Sequence, residues 1–172
     1  DWIVTQRLLA QRGVERSLED IKAVFEEVYW GTSTRDGLFL TESFIGNRDR
    51  LVALSKRFLL GAVTGRPRRD ALEFLERFNI LNLFSAVVTM EDGPAKPNPA
   101  PVQRALSTMG HSRAWMLGDT RDDVEAARSA SVLPIGVLAP QNSSPDTIRQ
   151  TLRKTGAARV LDEWTEIERY LP

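Results

Sequence analysis

The sequence predicts an α/β fold: a parallel sheet with helices on both faces, preceded by a helical portion. Two observations lead there. From residue 58 onward, short apolar runs alternate with segments of helical spacing, the pattern of strands joined by crossover helices. Before residue 55 there is helical spacing and a Gly/Ser/Thr-rich stretch, with no buried-strand pattern. The chain therefore divides into residues 1–55, a helical portion, and residues 56–172, an α/β core.

In the first portion, Trp2 to Arg12 is apolar along one side and stops at Gly13. Ser17 with Asp20 resembles a capping box, and Leu18, Ile21, Phe25 and Val28 keep helical spacing after it. Gly31 to Asn47 reads as loop or hinge, and Asp49 to Arg57 as a short helix. In the second portion, Phe58 to Val63 is a continuous apolar run, as in buried parallel strands. Thr64-Gly65-Arg66-Pro67 turns the chain, with Pro67 suited to a first helical position. Ala71, Phe74, Leu75 and Phe78 follow as one helical face. Ala86 to Thr89 is a second strand, and Asn98-Pro99 opens a helix bearing Val102, Ala105, Leu106 and Met109. Ala114 to Leu117 is a third strand, followed by an Ala-rich helix from Asp123 to Ala130. Leu133 to Leu138 is a fourth strand. Ser144-Pro145 opens a helix that ends at Gly156. Arg159 to Leu161 is a last strand, and Trp164, Ile167 and Leu171 mark a final helix.

Composition narrows the function. The 172 residues carry 23 basic and 23 acidic side chains, so no basic excess points to nucleic acid. Cysteine is absent and there is one histidine. Disulfides, a thiol nucleophile and Cys-ligated zinc are excluded. The longest apolar stretch, Val132 to Pro140, is too short for a bilayer, and Asp1-Trp2-Ile3-Val4 does not open a signal peptide. These features imply a cytoplasmic protein with no membrane partner.

In such a sheet, ligands bind at the carboxyl ends of the strands, and three strand ends carry chemistry. Thr64 stands between a strand and a helix N-terminus, where free amides and the helix dipole favour an anion. Gly65 and Arg66 flank it. Lys96 sits in a loop braced by Pro94, Pro97 and Pro99, which lowers the entropic cost of fixing a cation. Asp119 follows the third strand and Asp123 lies four residues on, at a helix start. One or two such carboxylates, with water and phosphate, suit Mg²⁺. Read alone, each has a plainer meaning: Thr64 as a helix cap, Lys96 as a solvated loop residue, Asp119 and Asp122 as a strand end and a cap. His111 reads as a surface turn residue, Arg68 and Arg69 as a solvated helix face, and the four tryptophans as packing.

Taken in order, the three are far more specific. Thr64 after the first strand, Lys96 in its Pro-rich loop, and Gly118-Asp119-x-x-x-Asp123 after the third resemble motifs II, III and IV of the haloacid dehalogenase-like superfamily. The resemblance runs from Phe58 to Leu138 and implies a Rossmann-like core. The preceding helices resemble the cap of its small-molecule phosphatases. It implies that Thr64 hydrogen-bonds the transferring phosphoryl group and that Lys96 neutralises charge between nucleophile and phosphate. Asp119 and Asp123 would hold Mg²⁺, and the substrate would be a small phosphorylated metabolite. Thr64, Gly65, Arg66 and Lys96 are the expected substrate contacts.

The resemblance departs in one place. Phosphatases of the superfamily carry Asp-x-Asp at the end of a central apolar strand. Here Asp36-Gly37-Leu38-Phe39-Leu40 lacks the preceding apolar strand, and its nucleophile position falls on Thr34. Asp1 is not the motif either. The central first strand is thus expected to be absent from these residues and supplied by an N-terminal segment or a second copy in a homo-oligomer. Direct pairing of strands 58–63 and 114–117 would overturn that expectation. The alternative function is a catalytically silent module with a structural or regulatory role. A receiver-like domain is a distant third, since no acidic pair precedes Phe58.

Overall fold

The structure is a computed structural model that describes residues 2–140 and 144–172; Asp1 lies outside the described residues. The chain forms two compact units, Asp1–Ile45 and Gly46–Pro172.

The first unit is an αα-hairpin followed by a tight β-hairpin. Helix α1 (Trp2–Ala10) ends in turns that reach Gly13 at φ +74°. Helix α2 (Leu18–Trp30) begins with the expected capping box: Ser17 Oγ accepts from Asp20 N, and Asp20 returns the bond to Ser17 N. The Gly/Thr-rich stretch is more ordered than a hinge. Strands β1 (Gly31–Thr32) and β2 (Arg35–Asp36) pair antiparallel, and a 3₁₀ turn covers Leu38–Thr41. Two glycines make this possible. Gly31 adopts φ +84°, and a Cβ on Gly37 would lie 2.3 Å from the Trp30 carbonyl carbon. Trp2, Phe25, Tyr29, Trp30 and Phe39 form a chain of ring contacts along α2.

The second unit opens with α3 (Arg48–Ser55), capped by Asn47. Arg48 donates to the Asn79 carbonyl and Arg50 pairs with Glu168, so this helix is tied to the α/β elements. Then come β3 (Leu60–Val63), α4 (Arg68–Arg77), β4 (Phe84–Val88), α5 (Ala100–Met109), β5 (Trp115–Gly118), α6 (Arg121–Ser129), β6 (Leu133–Val137), α7 (Pro145–Thr155) and β7 (Arg159–Leu161). The final apolar triplet forms a 3₁₀ turn, Trp164–Arg169, and not the expected α-helix. Pro67 is the N-cap of α4 and not its first helical residue. Thr120 caps α6 in place of Asp122, again with a capping box, to Asp123.

All the strand pairing in this unit is parallel, but it forms two ladders. β3 pairs with β4, and β5, β6 and β7 pair in that order. Strands β3 and β5 are not hydrogen-bonded to each other, so the pairing that would have restored a continuous sheet is not formed. Both strands are less buried than a continuous apolar run implies. No residue of β3 is buried, and in β5 Trp115 is 39% exposed and Leu117 37%.

Helices join the ladders. Val102 and Leu106 of α5 pack with Ala126, Ala127 and Ala130 around α6, against Val63 of β3 and Met116 of β5. Gly61 lets α5 approach β3: a Cβ there would meet Met109 Cε at 3.1 Å. Along β7 alternation covers both faces. Val160 packs with Leu152 of α7, and Leu161 with Ile167 of the last turn. No helix among the described residues is long and apolar enough to cross a membrane.

Candidate active site

The three strand ends singled out in the sequence converge on Lys96. Its ammonium donates to the Val63 carbonyl at 3.1 Å, at the end of β3 beside Thr64. It also pairs with Asp123 Oδ1 at 2.5 Å, at the start of α6. Lys96 is mostly buried and Asp123 is buried. A cation is therefore held between two ladders that share no backbone bond.

Asp123 is fixed from its other side. Its Oδ2 accepts from Thr120 N at 3.1 Å and from Thr120 Oγ1 at 2.6 Å. A buried carboxylate with a cation and two donors is satisfied. Gly118 makes the approach possible: a Cβ there would stand 2.3 Å from Asp123 Cβ. Asp119, one residue on, is exposed at the end of β5, and its carboxylate has no hydrogen-bond partner among the described residues. Asp119 after the strand and Asp123 in the first turn of α6 thus flank the Thr120 cap, one carboxylate open and one engaged. Among the described residues no group of three or more Asp, Glu, His or Cys side chains gathers as a metal cage. This fits a cation that takes one or two carboxylates and completes its shell with water and phosphate.

At the end of β3, Thr64 N donates to the Val88 carbonyl at 2.9 Å. Thr64 Oγ1 accepts from Arg66 N at 3.2 Å, which leaves its hydroxyl proton to donate elsewhere. The Arg66 guanidinium lies over the Phe74 ring, 5.0 Å from its centroid. Gly65 stands open, with nothing within 4 Å of a Cβ built on it.

Sequence reasoning missed Gly118 as a steric requirement and Thr120 as the cap; the spacing Thr-x-x-Asp was the available signal. It also passed over the two acids after β4. Glu91 accepts from Arg68 N, the first amide of α4, with both oxygens at 3.0 Å. Asp92 accepts from Thr89 N at 2.8 Å and from Arg68 Nη2 at 2.6 Å. The Arg68 amide, with help from the Thr89 hydroxyl, holds the Glu91 carboxyl below its ordinary range. The Thr89 amide and hydroxyl do the same for Asp92, with Arg68 and Arg104 adding to it. The α4 dipole is thereby already answered by a carboxylate. The open donors for an anion are at Thr64 and Gly65, not at the helix start.

Several known proteins resemble this chain. Over 176 positions the chain is 36% identical to a protein named imidazoleglycerol-phosphate dehydratase from Phytophthora nicotianae, covering 94% of this chain and 39% of that one. It is 32% identical over 149 positions to phosphoglycolate phosphatase of Escherichia coli K12, covering 80% of this chain and 58% of that protein. The chain thus spans well under two thirds of either relative. Among solved structures, it matches a Thermotoga maritima protein described as a beta-phosphoglucomutase with a TM-score of 0.69. Identity there is 27%, over 95% of this chain and 73% of that one. The sequence profile of haloacid dehalogenase-like hydrolases matches residues 3–137, and the chain belongs to that family.

Proposed function

We propose that the protein containing these residues is a Mg²⁺-dependent phosphatase of a small phosphorylated metabolite. The observation that carries the reading is the double contact of Lys96, to the strand end beside Thr64 and to Asp123. It ties the strand end that precedes Thr64 to the helix start that carries Asp123, at the carboxyl ends of parallel strands where open α/β sheets take ligands, and in this reading Thr64 and Asp119 complete the site.

Phosphoryl transfer demands charge neutralisation and positioning more than covalent chemistry from the surroundings. Thr64 Oγ1 donates to a phosphoryl oxygen, and the Gly65 amide can add a second donor. Lys96 offsets the negative charge shared by phosphate and nucleophile. Asp119 and Asp123 would hold Mg²⁺, directly or through water, and the ion would supply further positive charge beside the phosphate. The nucleophile of this reading is an aspartate on a segment outside residues 1–172. Its carboxylate attacks phosphorus, the ester P–O bond breaks, the alcohol leaves, and water then releases phosphate. In this reading the enzyme works in the cytoplasm, where their charge retains small phosphorylated metabolites.

The test is hydrolysis of a generic aryl phosphate by the full-length protein. Dependence on Mg²⁺ and loss of turnover in Asp119→Asn are the expected results. A well-folded, inactive wild type would sink the reading in favour of a silent module.

A further inference from the structure

The loop after β3 and the loop after β4 are joined at regular intervals. Thr64 N donates to Val88 O at 2.9 Å. Met90 N donates to Arg66 O at 3.0 Å. Arg68 N donates to the Glu91 carboxylate. These bonds fall at every second residue of the first loop. They continue the parallel β3–β4 ladder past the end of both strands. The last rung is a side chain and not a backbone carbonyl.

That side chain stands where the chain has no cap of its own. The N-cap residue of α4 is Pro67, which has no side-chain acceptor and makes no cap bond of its own. Glu91 is held in turn by Thr89 Oγ1 at 3.0 Å. Arg68 is further tied through its guanidinium to Asp92. The turn carrying Thr64, Gly65 and Arg66 is therefore fixed at both ends by residues of the other loop.

We propose that Glu91 is a positioning residue for phosphate: by capping α4 across the two loops it fixes the Thr64–Pro67 turn and keeps the anion at Thr64 and Gly65, off the helix start. The inference rests on the phosphatase reading for what the turn holds. Glu91 touches no reacting atom; it acts through the turn.

The experiment uses the full-length protein, amide hydrogen exchange and titration with inorganic phosphate followed by NMR. In Glu91→Ala, the Arg68 and Arg66 amides should lose protection. Phosphate affinity should fall about tenfold, the size of one lost hydrogen bond to a charged group. Glu91→Gln keeps an acceptor for Arg68 N and should recover most of both. With the aryl phosphate, the Ala variant should show a raised KM and Gln should rescue it. Unchanged exchange at Arg68 in Glu91→Ala overturns the proposal. So does tighter phosphate binding, which is what a carboxylate that merely repels the anion would give. A wild type that neither binds phosphate nor hydrolyses esters, yet still loses Arg68 protection on the Ala change, overturns the phosphatase reading and leaves the cross-loop cap standing.

Discussion

The two units are built by different means. Among the described residues, Ile21 is the sole buried apolar side chain from the first 45 positions; the others all lie in the second unit. The first unit has a complete capping box, two glycines at positive φ and a row of rings, yet Val24 is 60% exposed and no residue of α1 is buried. The second unit mixes its local signals: Asn47 caps α3 and Thr120 with Asp123 forms a capping box on α6, while the N-cap residues of α4 and α5 are prolines that make no side-chain cap bond. It nevertheless buries α5, α6 and α7 against strands. Local signals decide where a helix starts and stops; burial decides how much that helix contributes to stability.

The comparison is broken or sharpened most strongly in the core. Leu152 is 1% exposed, between α6 and β7. Leu152→Ala should cost about 2–5 kcal/mol in urea unfolding. Ile21→Ala should cost clearly less, and equal losses would remove the distinction between the units. Next is Gly118→Ala, where the new Cβ falls on Asp123 and something must move. A loss of about 1–3 kcal/mol is expected, together with a weakened Lys96–Asp123 pair that NMR of the Lys96 ammonium would detect. Smaller again is Ser17→Ala, at about 1 kcal/mol. It should appear as faster amide exchange confined to α2, with β6 unaffected.

Acid should act least, through two carboxyls of the second unit. Glu91 and Asp92 are held below their ordinary values of 4.5 and 3.8 in the folded chain. The stability they add is present in full above those values. It is lost as pH falls through the depressed folded ones. Thermal melts between pH 5 and pH 3 should show the second unit losing stability, with a smaller loss in Glu91→Gln.

Much of this architecture could be read in the sequence, for identifiable reasons. Strand and helix order after residue 58 follows from apolar period, and the stops at Gly13 and Gly156 follow from the left-handed backbone those positions adopt. Ser17 and Asp20 announced their own cap. What could not be read depends on contacts distant in sequence. Arg68 and Glu91 are 23 positions apart, and nothing local says that one caps the other's helix. Gly118 looked like a strand end because its requirement comes from the side chain of Asp123. The hairpin at Gly31 was taken for a hinge because Gly suits both; only its close approach to Gly37 and Arg35 separates them. Trp164 to Leu171 kept a helical spacing that a 3₁₀ turn also satisfies.

The two ladders have a consequence for handling the chain in solution. Among the described residues, β3 and β5 each bond to one neighbour, and β5 carries the part-exposed apolar side chains Trp115 and Leu117. A strand with one open side is a template for another. Lys96 crosses between these strands as a single charge and takes up one backbone carbonyl, that of Val63. At high concentration the chain should therefore self-associate through edges and not through charge. Added salt would do little to prevent it, whereas a short peptide of alternating β-branched residues that can lie parallel to β3 would compete for the same edge.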